Sequence, residues 1–265
     1  MTILDTIIEH KKEEVATRRR ATPAAQLQQE PLFHRGCFSA SAFLMDECRT
    51  GIIAEFKRRS PSKGIINDQA AVTDVTRAYA DHGASCISVL TDTHFFGGST
   101  QDLLDARFND VPLLRKDFMI DPYQVTEAKA MGADLILLIA ACLSKAQVLD
   151  LSAQAVSLGM EVLLELHADE ELGHICSDTR LVGINNRDLK TFIVDIDRSL
   201  AMAGQLPPET IKIAESGISS VEMVRRFRKN GFRGFLMGEN FMKERDPGLA
   251  FAKFAGEMKV TRLPG

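Results

Sequence analysis

The chain has no tryptophan, two tyrosines and five cysteines in 265 residues. Each scarcity removes a class of protein. The cysteines, Cys37, Cys48, Cys86, Cys142 and Cys176, are odd in number and show neither a C-x-x-C pair nor a repeated metal-type spacing. That excludes a disulfide framework and leaves reduced, mostly structural thiols with no metal site. No apolar run approaches the roughly 18 residues of a membrane span. The start, Met1 to Glu14, is charged every few residues and holds no signal-peptide core. We therefore expect a soluble, cytoplasmic protein with no membrane partner. With 32 Lys and Arg against 36 Asp and Glu, the net charge of -4 supplies no broad basic field for a nucleic-acid backbone. A small anionic ligand needs only a local positive site and stays open.

What is present is 45% hydrophobic and 26% charged, ordinary for a globular chain. This length suits one α/β barrel or two smaller domains. Ile3, Leu4, Ile7, Ile8 and Val15 recur at helical spacing, which predicts an amphipathic helix from Thr2 to about Arg19. Arg18, Arg19 and Arg20 end it, suited to the negative end of the helix dipole, and read as a solvated helix end. From Ala21 to Thr50, with Pro23, Pro31 and Gly36, a short helix and a connection are expected.

A theme then repeats: a short apolar run, a polar loop, a helical stretch. The runs are Ile52 to Phe56, Cys86 to Leu90, Pro112 to Arg115, Asp134 to Ile139, Glu161 to Leu166, Leu181 to Ile184, Ile211 to Ala214 and Gly234 to Met237. Helices are predicted at Ala70 to His82, Pro122 to Met131, Ser144 to Leu158 and Val221 to Asn230. Gly83, Gly132, Gly159 and Gly231 follow them, where a left-handed residue ends a helix. Eight strand–helix units close into a (β/α)8 barrel of about 250 residues. The open doubly wound alternative lacks its G-x-G-x-x-G after the first strand.

In such a barrel the site lies at the carboxyl ends of the strands. Those ends carry Glu55 and Lys57, Thr91, Lys116 with Asp117, Glu165, Asn185 with Arg187, Glu215 with Ser216, and Gly238. The fourth run ends in Ala140 and Ala141 and offers apolar surface only. Lysines and carboxylates crowded at one mouth supply general acids and bases, and a lysine near another cation deprotonates more easily. Ser216-Gly217 and Gly238 sit where this fold binds phosphate, with a short helix expected from Asn240 to Lys243. Lys57 to Gly64 carries four cations and reads as a mobile basic flap, although a solvated surface loop fits the same residues. Phe95, Phe96 and Phe118 suggest an apolar wall for a ring, or packing beneath a loop.

These residues resemble one family, indole-3-glycerol-phosphate synthase. The resemblance is carried by Ile53-Ala54-Glu55-Phe56-Lys57-Arg58-Arg59-Ser60-Pro61-Ser62-Lys63-Gly64 and by Leu114-Arg115-Lys116-Asp117-Phe118 with Asp121-Pro122-Tyr123-Gln124. Gly183-Ile184-Asn185-Asn186-Arg187-Asp188-Leu189 and Ala214-Glu215-Ser216-Gly217-Ile218 extend it. It implies one barrel domain over 1–265, with residues 1–50 as an amino-terminal helical extension. It also implies ring closure of 1-(2-carboxyphenylamino)-1-deoxyribulose 5-phosphate to indole-3-glycerol phosphate, releasing carbon dioxide and water, with no metal or organic cofactor.

By resemblance Lys116 is the general acid on the ketone. Glu165, Lys57 and Glu55 serve the dehydration, their acid and base roles undivided, and Lys57 also lies near the phosphate. Glu215 and Asn185 orient the lysines and the substrate hydroxyls. Arg187 and Ser60 take the anthranilate carboxylate, and Phe96, Phe118, Pro61 and Leu137 the ring. Ser216, Gly217 and Gly238 hold the phosphate. Glu239 stands where some members carry a small hydroxyl residue, so only its backbone N–H is expected to face that anion. Rivals are phosphoribosylanthranilate isomerase, the α subunit of tryptophan synthase, and a catalytically idle barrel that binds a phosphorylated metabolite. The first two reactions do not need two mouth lysines, and an idle barrel is expected to lose a proton-transfer residue. A monomer is expected, and a single activity, because Gly265 comes soon after the last helix.

Overall fold

The computed structural model describes residues 2–188 and 193–260. Leu189, the last residue of one quoted segment, lies outside them. Eight parallel strands form a closed ring: β1 (Ile52–Phe56), β2 (Cys86–Leu90), β3 (Leu113–Lys116), β4 (Leu135–Ile139), β5 (Glu161–Leu166), β6 (Leu181–Asn185), β7 (Ile211–Glu215) and β8 (Phe232–Met237). β8 returns to β1 with Ile52 opposite Phe235, so no edge strand is left. The helices outside are Val72–Asp81, Thr100–Ala106, Pro122–Ala130, Lys145–Ser157, Ile196–Ala203, Val221–Lys229 and Pro247–Val260. Between β5 and β6 the helix shrinks to a 3-10 segment, Asp169–His174. Gly83, Gly132, Gly159 and Gly231 all have positive φ, as their places after helices require.

Strand periodicity sorts the core into two layers. On β1, Ile52, Ala54 and Phe56 pack outward against the helices, while Ile53 joins an inner cluster with Leu114, Leu137, Leu163, Leu181, Ile213 and Leu236. Counting by twos from these inner residues leads up to Glu55 and Lys57, Lys116, Glu165, Asn185 and Glu215. The barrel interior and the candidate site therefore share one alternation, apolar below and charged above.

The amino-terminal extension grips both ends. Thr2 and Asp5 form a reciprocal capping box at the start of the helix Ile3–Ala21, which buries Ile7, Lys11 and Val15. Arg18 and Arg19 are not a solvated end: Arg18 pairs with Glu14 and Glu127, and Arg19 with Asp121, tying the helix to the barrel. Three short helical pieces follow instead of one, Ala24–Leu27, Pro31–His34 and Ala40–Met45. Ala40 and Leu44 of the last join the inner cluster and close the base. There the Asp134 carboxylate accepts from the Phe38 and Leu113 N–H groups, each at 2.8 Å, and pairs with Arg35 and Arg107.

Candidate active site

A cavity of about 340 Å³ opens at the carboxyl ends of the strands, and every residue to which the resemblance gives a site role lines it. At its centre Lys116 Nζ stands 3.6 Å from Glu165, 3.9 Å from Glu55 and 4.0 Å from Glu215. Lys57 Nζ pairs with Glu55 at 2.8 Å. Asn185 Nδ2 donates to Glu165 Oε1 at 2.9 Å, and its own Oδ1 accepts from the Arg187 N–H at 3.0 Å. Two glycines make room. A Cβ on Gly183 of β6 would lie 2.0 Å from Glu215 Oε1, and one on Gly238 would lie 2.8 Å from both Cβ and Oε1 of Glu55.

Burial disfavours the Lys116 ammonium, but Glu165, Glu55 and Glu215 together outweigh it and hold the lysine protonated well above its usual range. This reverses the expectation that crowded lysines deprotonate easily, because carboxylates are the groups that crowd this one. Burial likewise opposes the Glu165 and Glu55 charges. Lys116 overrides it at Glu165, and Lys57 with Lys116 at Glu55, so both carboxyls are held below the usual carboxylate range. Glu215 goes the other way, pushed well above that range by burial and by the neighbouring Glu165 charge. The cluster thus sets two lysines and two stabilised carboxylates beside a third carboxyl that burial and a neighbouring charge push toward its neutral form. Glu165 Oε2 and Glu215 Oε1 are buried without a hydrogen-bond partner among the described residues.

One wall is apolar. The Phe96 and Phe118 rings lie 5.9 Å apart between centroids, with Pro61 and Leu137 beside them. Phe95 takes no part and packs edge-on against His10. Opposite, Ser216 adopts φ 66° and Gly217 φ 71°. A left-handed serine is uncommon, and Asn186 holds this turn by donating to the Ser216 carbonyl at 2.8 Å. The helix Glu239–Met242 follows Gly238; its Phe241 and Met242 N–H groups donate to the Gly238 carbonyl, and those of Glu239 and Asn240 come before the first intrahelical bond. It starts one residue earlier than expected. The Glu239 carboxylate lies 3.6 Å from Lys63 Nζ, with the side chain 41% exposed.

The flap folds into a two-strand hairpin, Arg59–Ser60 against Gly64–Ile65. Two of its four cations turn away from the mouth. Arg58 forks onto Asp102 at 2.6 and 2.8 Å, and Arg59 donates to the Thr93 carbonyl. Thr91 leaves the candidate mouth and the Asp117 carboxylate turns away from it, for reasons of parity. They fall on the outward phase, where Thr91 Oγ1 donates to Asp117 at 2.7 Å and Lys11 reaches the same carboxylate at 2.9 Å.

Some lining residues went unread in the sequence. His167, two positions after Glu165 and on the same inward phase, brings Nε2 to 3.0 Å from Glu165 Oε1. The alternation that gives Glu165 would have given His167 had β5 been followed past its last paired residue. Ile3, Leu4 and Ile7 line the mouth from the amino-terminal helix. Their spacing signalled a buried stripe but not what it covers. Among the described residues no group of three or more His, Cys, Asp or Glu side chains converges as a metal site, and no helix is long and apolar enough to cross a membrane.

Solved barrels share the fold at low identity. The tryptophan synthase α subunit of Legionella pneumophila matches with a TM-score of 0.62 and 14% identity, over 83% of this chain and 97% of that one. The 3-hexulose-6-phosphate synthase of Salmonella typhimurium matches at 0.63 and 12%, over 79% and 98%. Curated relatives named indole-3-glycerol phosphate synthase are far nearer. That of Bacteroides thetaiotaomicron is 47% identical over 95% of this chain and 97% of its own length, and that of Salinibacter ruber 41% over 98% and 97%. The family model for indole-3-glycerol phosphate synthase matches residues 4–254, and with these relatives it shows that the chain belongs to that family of tryptophan biosynthesis.

Proposed function

We propose that the mouth cluster closes the indole ring with Lys116 as general acid. The carrying observation is an ammonium held protonated among three carboxyl groups, within 4.0 Å of each, beside an apolar wall. The ring carbon that bears the carboxylate attacks the ketone carbon while Lys116 gives its proton to the ketone oxygen. Carbon dioxide then leaves, and its bonding pair restores aromaticity. The new hydroxyl departs as water after taking a proton, and a base removes a proton from the carbon beside nitrogen.

The cluster couples these steps. While Lys116 is charged, Glu165 is a weak base; once the lysine has given up its proton, the field that lowered Glu165 is gone and the carboxylate gains proton affinity. Glu165, Lys57 and Glu55 serve the second half. Asn185 and Glu215 orient Glu165 and Lys116. Phe96, Phe118, Pro61 and Leu137 enclose the ring, and Arg187 with Ser60 takes its carboxylate, for which a guanidinium fork is suited. Ser216, Gly217, Gly238 and the Glu239 N–H receive the phosphate with help from Lys57. The placement of the Glu239 carboxylate beside Lys63 supports a backbone-only contact there.

The protein works in this reading as a cytoplasmic monomer on a small phosphorylated substrate, without metal, organic cofactor, nucleic acid or membrane. Incubation with the carboxyphenylamino-deoxyribulose phosphate should give rising indole fluorescence that a chelator leaves unchanged. Folded protein that produces no indole would refute the reading.

A further inference from the structure

Ring closure has a proton balance that the mouth alone does not satisfy. The substrate carboxylate anion plus one proton gives indole-3-glycerol phosphate, carbon dioxide and water, so each turnover takes up one proton from solvent. Lys116 spends a proton on the ketone, the departing hydroxyl takes another, and the base recovers only one. The cavity through which solvent reaches Lys116 is the one the substrate fills, and the lysine side chain is only 16% exposed.

A second way in runs along β5. Glu165 faces two directions: Oε2 lies 3.6 Å from Lys116 Nζ, and Oε1 lies 3.0 Å from His167 Nε2. Beyond the imidazole, Nδ1 stands 3.9 Å from Glu171 Oε2. Glu171 belongs to the 3-10 segment Asp169–His174, follows the exposed Asp169 and Glu170, and is itself partly open to solvent. That carboxylate is anchored by the His167 backbone N–H at 2.6 Å, so it stays beside the ring. His167 is buried, yet among the described residues neither ring nitrogen finds an aligned hydrogen bond, the 3.0 Å approach to Glu165 included. A ring close to two carboxylates and locked to neither can take a proton on one nitrogen and release one from the other. Cys142, whose thiol feels both carboxylates, is pushed up to about 12 by burial and by their charges, and stays a thiol.

On these distances we infer that His167 is a positioning residue that acts through Glu165, importing the consumed proton along Glu171, His167, Glu165 and Lys116. The inference rests on the ring-closure reading and adds to it a route separate from the substrate's. A structural histidine and a relaying one differ in testable ways. His167→Gln keeps the volume and a donor beside Glu165 but carries no proton. It should lower kcat about tenfold or more, leave KM within about threefold, and enlarge the solvent deuterium isotope effect on kcat. His167→Ala opens space in which imidazole added to the buffer should restore much of the lost turnover. Glu171→Gln should give a smaller loss of kcat in the same direction.

Melting curves establish that the variants are folded. Turnover equal to the parent's in both histidine variants would overturn the relay. So would a loss with an unchanged isotope effect and no response to imidazole. No turnover in the unmodified protein would overturn the ring-closure reading and the relay with it.

Discussion

Lys116 and its neighbours in sequence, Arg115 and Asp117, lie in two buried charge clusters that are built differently. At the mouth, Lys116 is 3.6 to 4.0 Å from its three carboxyl partners, and one of those, Glu215, is pushed toward its neutral form by burial and by Glu165. On the outward face, Lys11 Nζ is 2.9 Å from each of Glu14, Asp92 and Asp117, and Arg115 reaches Asp117 at 3.1 Å and Glu127 at 2.7 Å. Both clusters are largely buried, so both incur a desolvation cost. Lys11 and Arg115 offset it with several contacts of 3.1 Å or less, whereas Lys116 has no carboxyl partner that close. The role of the outward cluster is structural, fixing the amino-terminal helix over the barrel rim. The mouth cluster is left short of partners, and that deficit is what a substrate can fill.

The difference should show first in function. Lys116→Met is expected to cut turnover by about 10³-fold, within the range of a lost general acid, while substrate binding stays within about tenfold. Lys11→Met should do the reverse. It strands Asp92 and Asp117, costing about 3 to 5 kcal/mol, which for a chain of this size is a fall in Tm of about 10 °C, with turnover of the folded fraction much less affected.

Within the mouth, the split between its two carboxyls gives a finer contrast. Glu165→Gln removes a charge and a base and should lower kcat by about 10² or more. Glu215→Gln puts a neutral amide where burial and Glu165 already push the carboxyl toward its neutral form, and should be several-fold milder. Glu215 has a raised folded pKa, so its contribution to stability is full below its ordinary 4.5 and is lost as pH rises through the folded value. Its replacement should therefore raise Tm at neutral pH but not at pH 4. A lower Tm at both would place the proton elsewhere.

The smallest effect is expected in acid. Lys11, Arg115 and the Thr91 hydroxyl overcome burial at Asp117 and hold its carboxyl well below the ordinary 3.8. Its contribution is present above that value and lost as pH falls toward the folded pKa. Tm should drop below about pH 4, and Asp117→Asn should flatten that slope. Glu215→Gln should leave it standing, because the Glu215 contribution is still present there.

Much of this was legible in the alternation of strand residues. Inward positions rise from Ile53 to Glu55 and Lys57, from Leu114 to Lys116, and from Ile213 to Glu215, so the barrel and the lining of its mouth come from one pattern. The same parity assigns Thr91, Arg115 and Asp117 outward, a distinction lost when strand ends are read as sets of polar residues. Lys11 was hidden for another reason. A lysine in an apolar helical stripe reads as a solvated residue until the carboxylates that hold it, from loops some 80 and 106 residues away, are brought beneath it. Gly183 was equally silent, because its purpose is the space it leaves for the Glu215 carboxylate on the next strand.

The most direct test of the account follows carbon dioxide and indole together during turnover of the carboxyphenylamino-deoxyribulose phosphate by the parent and by Lys116→Met. The prediction is equimolar carbon dioxide and indole from the parent and neither from the variant, although the variant still binds the substrate. Sustained indole formation by Lys116→Met would contradict it.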